Sequence, residues 1–126
     1  MTNKTNLILG GVALWALGAV IIHFIGPHIF NGGPLHIVFW ISNFIAPVSV
    51  LPLIAKRIGR TKHQMLEPTA IMLFPAMTLD GLSITFDTFG WTHIYASDPK
   101  LAGLTGGFLL FAAASFFFWA LVWHRD

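Results

Sequence analysis

The chain has 126 residues, 56% of them hydrophobic and only 10% charged, and its mean hydropathy is +0.74. A soluble domain carries about 25% charged residues, so this chain lacks the polar groups to cover a water-facing surface and reads as one integral membrane domain over residues 1–126. The absence of cysteine excludes disulfides, thiolate metal sites and cysteine nucleophiles, and a net charge of +2 held by a few loop residues suits lipid headgroups rather than nucleic acid.

Residues 6–25 form the first apolar span, long enough to cross a hydrocarbon core of roughly 30 Å. The run is longer than the apolar part of a signal peptide, and no small-residue cleavage site follows, so it is expected to stay as a helix. Ala16, Ala19 and His23 share one face, a small-residue groove that ends in a histidine, and Gly11 and Gly18 make a second stripe; small residues let helix backbones approach closely. The stretch GPHIFNGGP, with His28, breaks this helix. The second span covers 35–55, with His36 at its start and Asn43 inside it. Pro47 and Pro52 are expected to kink it and to free carbonyls that Ser49 or a neighbouring helix can satisfy.

KRIGRTKH is the only basic cluster. The third span, about 67–90, carries two acids, Asp80 and Asp87. A charged side chain near the bilayer centre costs roughly 2.5–3.5 kcal/mol on insertion scales, so both acids need partners. At about 100° per residue they lie within roughly 20° of one another, with Ser83 between them. This polar stripe is expected to face the bundle interior, while Thr78 and Thr85 bond carbonyls of their own helix. After a loop with His93 and Tyr95, Asp98-Pro99 signals a helix start, and the fourth span covers 101–123. Its Gly103 and Gly107 form a G-x-x-x-G pair that Ala114 continues, an edge suited to close packing against another helix. The run FFFW at 116–119 is expected to face lipid or the interface.

Together these spans predict an all-α fold, a four-helix transmembrane bundle. Four crossings put the first residues, the middle loop and the last residues on one side. That side holds six of the seven Lys and Arg residues, and the positive-inside rule makes it cytoplasmic.

Depths follow from a rise of about 1.5 Å per residue. Asp80 and Asn43 fall at similar depth and are expected to hydrogen-bond. Asp87 and His23 lie about one turn from the outer boundary and are a second candidate pair. His28, His36 and His93 gather on the same outer side as weak metal-ligand candidates. Three kinds of chemistry suit this grouping: a divalent ion held by histidine and carboxylate, a His–Asp–Asn proton relay, and a macrocycle ligated by His23. No spacing in the chain selects one of them, and the cofactor stays open.

At Pro75–Asp80 the sequence P-A-M-T-L-D resembles the third helix of a family of small bacterial four-helix membrane proteins of unknown function, with Ala76 where that family has glycine. The resemblance implies a multi-pass protein of the bacterial inner membrane and implies no activity. The expected partners are the lipid bilayer and other transmembrane helices, in a homo-oligomer or a larger complex. The leading expectation is a non-enzymatic accessory subunit or a binder of a hydrophobic ligand. The alternatives are a small oligomeric transporter or proton pathway built on Asp80, and an intramembrane enzyme acting on lipid-like substrates.

Overall fold

The computed structural model describes residues 2–126, with side chains from Lys4 onward. Four helices account for nearly all of it: α1 over Thr2–Ile29, α2 over Pro34–Arg57, α3 over Leu66–Thr88 and α4 over Pro99–Trp123. All four are long and apolar enough to cross a membrane. A short 3-10 turn, Lys62–Gln64, lies between α2 and α3.

α1, α2 and α4 outrun their predicted limits for local reasons, while α3 ends at Thr88, two residues short of the expected 90. α1 continues through Gly26 and Pro27, because a proline removes one backbone bond and a membrane helix tolerates that loss. α4 starts two residues early, with Pro99 in its first turn and the Asp98 carboxylate accepting from Leu101 N at 2.8 Å. α2 runs unbroken through Pro47 and Pro52. Trp119 of α4 donates its indole N–H to the Phe44 carbonyl at 2.8 Å, next to the carbonyl that Pro47 leaves without its helical donor.

The order of neighbours in space is α1, α3, α4, α2. α1 and α2 barely touch, although they are consecutive in the chain. α1 meets α3 at Gly11, where an added Cβ would stand 2.1 Å from the Met72 carbonyl oxygen. A contact that close is open only to glycine. α3 meets α4 beside Gly106, where the neighbour is Ile84. α2 is joined to α4 by aromatic rings: Trp40 stacks on Phe111 at 4.4 Å, and Phe44 lies 5.7 Å from Trp119. The FFFW run is therefore partly an inter-helix surface, and only Phe118 of its four residues is largely exposed.

The predicted close-packing edge of α4 is not used inside the chain. A Cβ at Gly103 or Gly107 meets nothing within 4 Å, and Ala114 and Ala16 are exposed, while Ala19 is buried. The reason is rotational: α4 turns Gly106, not its neighbours, toward α3.

Two apolar clusters close the two ends of the bundle. One gathers Ile22, Phe30, Tyr95, Ala102 and Phe108; the other gathers Leu51, Ala55, Met65 and Ala120. At the second end the chain is further tied down. His63 Nδ1 donates to the Trp123 carbonyl at 2.8 Å, and the Lys62 ammonium sits 4.7 Å above the Trp123 ring.

Candidate functional site

α3 carries Asp80, Ser83 and Asp87 on one face, and the structure gives each a different partner. Asp87 lies in the last turn of α3, just before the helix is closed by Gly90 at φ +77°. Gly90 N donates to the Asp87 carbonyl and Trp91 N to the Phe86 carbonyl, each at 3.0 Å, which ends the helix and reverses the chain. The reversed loop then wraps the Asp87 carboxylate. Thr92 Oγ1 donates to it at 2.6 Å, Ile94 N at 2.8 Å, Tyr95 N at 2.7 Å and Ala96 N at 3.1 Å. A buried carboxylate needs such donors, and these loop amides equally need an acceptor.

The consequence falls on Tyr95. Held by its own backbone bond to Asp87, its side chain runs back into the bundle and is 1% exposed. Its phenol donates to Asp80 Oδ1. Burial raises the Tyr95 pKa above its ordinary value near 10, and the bond to Asp80 raises it further. The Trp15 indole N–H faces the same phenol without closing a hydrogen bond to it.

Asp80 and Tyr95 line a cavity of about 290 Å³ among all four helices. Trp15 and Gly18 come from α1, Asn43 and Leu51 from α2, Thr69, Met72 and Ala76 from α3, and Leu109, Ala113 and Phe116 from α4. Three buried polar atoms on its lining have no hydrogen-bond partner: Trp15 Nε1, Asn43 Nδ2 and Thr69 Oγ1. Asp80 also lines a groove of about 280 Å³ on the outside of the bundle, between α3 and α4, with Met77, Ile84 and Gly106. The carboxyl group thus lies in the α3–α4 seam.

Several expected pairings are replaced by others. Asn43 does not bond Asp80, because α2 packs on α4 and so stands across the cavity from α3. His23 does not pair with Asp87, whose oxygens are already occupied by four donors. Instead His23 Nδ1 donates to the Ile94 carbonyl at 2.9 Å, and its ring lies 4.7 Å from that of His93. Ser83 is buried and donates to the Leu79 carbonyl of its own helix at 2.7 Å. Thr78 and Thr85 back-bond their own helix as expected.

Among the described residues, His28, His36 and His93 do not converge on a metal site. His28 is exposed. His36 is buried and faces two donors, Gly32 N at 3.0 Å and Trp40 Nε1 at 3.1 Å; a neutral imidazole accepts at only one nitrogen, so it takes one of them at a time. Among the described residues no group of three or more His, Asp or Glu side chains is placed to hold a metal ion.

Sequence reasoning missed Tyr95 and Trp15. The signal for Tyr95 was present: it is the only tyrosine, set between Ile94 and Ala96 just after a helix-ending glycine. Trp15 carried no such signal in a run of apolar residues. Comparison with known protein families, curated proteins and solved structures gives no match.

Proposed function

We propose that this chain is a small multi-pass protein of a bacterial inner membrane that holds a lipid-soluble ligand among its four helices. The observation that carries this reading is the convergence of Trp15 Nε1, Asn43 Nδ2 and Thr69 Oγ1, all unpartnered, on a cavity beside the Asp80–Tyr95 pair. Buried polar groups are nearly always hydrogen-bonded, and leaving one unpaired costs about 1–3 kcal/mol. Three around one cavity support an occupant that supplies the missing bonds.

The orientation we propose puts both ends of the chain and the α2–α3 connection in the cytoplasm. The Lys and Arg distribution supports it, with only Lys100 on the opposite side. The resemblance at Pro75–Asp80 supports the bacterial setting.

The test is extraction of the protein from native membranes in mild detergent, followed by mass spectrometry of the bound small molecules. A specific hydrophobic molecule should co-purify, and Ala112→Phe, which fills the cavity, should release it. No enrichment over an unrelated membrane protein of similar size would refute the reading. A reporter fused after Asp126 should be active only in the cytoplasm.

A second reading, an accessory subunit of a larger membrane complex, draws support from the open Gly103–Gly107 edge of α4, where an added Cβ meets none of the described residues within 4 Å. Chemical cross-linking in native membranes from a residue on that edge separates the two.

A further inference from the structure

We infer that the molecule held in the central cavity is uncharged and presents a carbonyl oxygen to Trp15 and Asn43; this rests on the ligand-binding reading above. The groups short of partners on the cavity are mostly donors. The Trp15 indole is a donor only, and the unpartnered atom of Asn43 is its NH₂ nitrogen, also a donor. Thr69 adds a hydroxyl, 2% exposed, that stands free. The hydroxyls of Thr78, Ser83, Thr85, Thr88 and Ser115 each donate to the carbonyl four residues back, at 2.7–2.8 Å; among the buried hydroxyls of the described residues only Thr69, on the cavity, and Thr105, away from it, lack a partner. The unpartnered buried groups of the lining are therefore two N–H donors and a hydroxyl, while the nearby Asp80 carboxylate already receives the Tyr95 phenol.

Charge narrows the occupant further. No Lys, Arg or His lines the cavity, so an anionic head would meet Asp80 with nothing to neutralise it. A cationic head would find Asp80, but it would leave the donors of Trp15 and Asn43 unpaired and facing a like partial charge. A carbonyl oxygen has two lone pairs and satisfies two donors without bringing a charge into the bilayer. The remainder of the lining is mostly apolar, with Leu14, Leu109 and Phe116 among it. The volume, about 290 Å³, is roughly twice that of an engineered apolar cavity that takes up benzene. An aryl ketone or a chain of about ten carbons ending in a ketone fits these limits. α1 and α2 flank the cavity without packing along one another, which leaves that side open to lipid.

The probe is benzophenone, an uncharged diaryl ketone that cross-links to nearby C–H bonds on irradiation and favours methionine. The full chain is reconstituted in phosphatidylcholine vesicles, irradiated with benzophenone, and its adducts are mapped by mass spectrometry. The expected adduct is on Met72, which lines the cavity and is 8% exposed. Undecanone should suppress it and undecane should not. Trp15→Phe and Asn43→Leu should each weaken it by about fivefold, the size of one lost hydrogen bond, in protein whose thermal unfolding in detergent is unchanged. If undecane competes as well as undecanone, the cavity takes apolar molecules in general; the carbonyl inference falls and the ligand-binding reading stands. If tetraphenylphosphonium competes better than undecanone, Asp80 selects a cation and the inference is overturned. If adducts fall only on lipid-facing residues such as Phe74, or Met72 labelling is insensitive to every competitor, both readings fall. The competition runs on the unaltered chain, so the result stands even if a variant does not fold.

Discussion

Asp80 and Asp87 stand on one face of one helix, two turns apart, and have opposite surroundings. Asp87 is 3% exposed and accepts from one hydroxyl and three backbone amides. Its oxygens are filled by the chain itself, so it acts as a structural fastener for the α3–α4 loop. Asp80 has one partner, the Tyr95 phenol, and borders both the central cavity and the outer groove. The two are linked in series: Asp87 folds the loop, the loop delivers Tyr95, and Tyr95 reaches Asp80. Two acids with the same helical phase thus differ in whether the fold or something outside it completes their shell.

The largest effect should come from Asp87→Ala. It strands three backbone N–H groups in the loop, each costing about 1–3 kcal/mol when buried and unsatisfied. We expect a loss of at least about 3 kcal/mol, seen as a large drop in thermal stability in detergent. Wild-type stability in that variant would show that the loop finds other acceptors.

Next comes Gly11→Ala, which places a methyl against the Met72 carbonyl and forces α1 away from α3. Overpacking of this kind costs typically 1–3 kcal/mol. Gly107→Ala, with open space around it, should stay within about 0.5 kcal/mol, and an equal loss at both sites would contradict the packing described.

At Asp80 the effects on folding should be smaller. Tyr95→Phe and Asp80→Asn should each cost about 1 kcal/mol, and the double variant little more than either alone, because they share one hydrogen bond. Additive losses would mean that the two side chains act separately. Asp80→Asn should also separate structure from function, preserving the fold while altering whatever depends on the acid's proton.

The smallest effect is spectroscopic and acts below any change in stability. Tyr95 is the only tyrosine, so tyrosinate absorbance reports it alone. Burial raises its pKa, so at about pH 11, where a free tyrosine is mostly ionised, the folded chain should show less tyrosinate than the unfolded chain. By linkage the bond to Asp80 is fully present below the ordinary Tyr pKa near 10, and its contribution declines as pH rises above it. Ionisation at the ordinary value would mean that the phenol meets water.

The fold was legible in the sequence because its cause is one-dimensional. Four apolar runs separated by proline, glycine and charge can only become four spanning helices, and their limits shifted by a few residues at most. The polar stripe of α3 was legible for the same reason, since phase on a helix follows from spacing alone. Partners were not. The expected Asp80–Asn43 bond assumed that helices at matching depth face one another, and depth says nothing about which helix lies beside which. Placing α4 between α2 and α3 set Asn43 across a cavity and left Asp80 to a loop residue. Gly103 and Gly107 show the same gap: a small-residue edge is visible in the sequence, but the rotation that points Gly106 inward is a property of the packed pair.

The order of neighbours also bears on how the protein is made. α1 packs against α3 and α2 against α4, so neither of the first two helices finds its main partner in the segment that directly follows it. As the chain leaves the ribosome, α1 must stay in the bilayer until α3 is complete, about sixty residues later. At roughly 5–20 residues per second that wait lasts on the order of several seconds. During it the Gly11 surface, shaped to meet the Met72 backbone, has only lipid against it. α4, which brings Leu109, Ala113 and Phe116 to the lining, is made last of all, so the cavity takes its final form only after every helix is in the membrane.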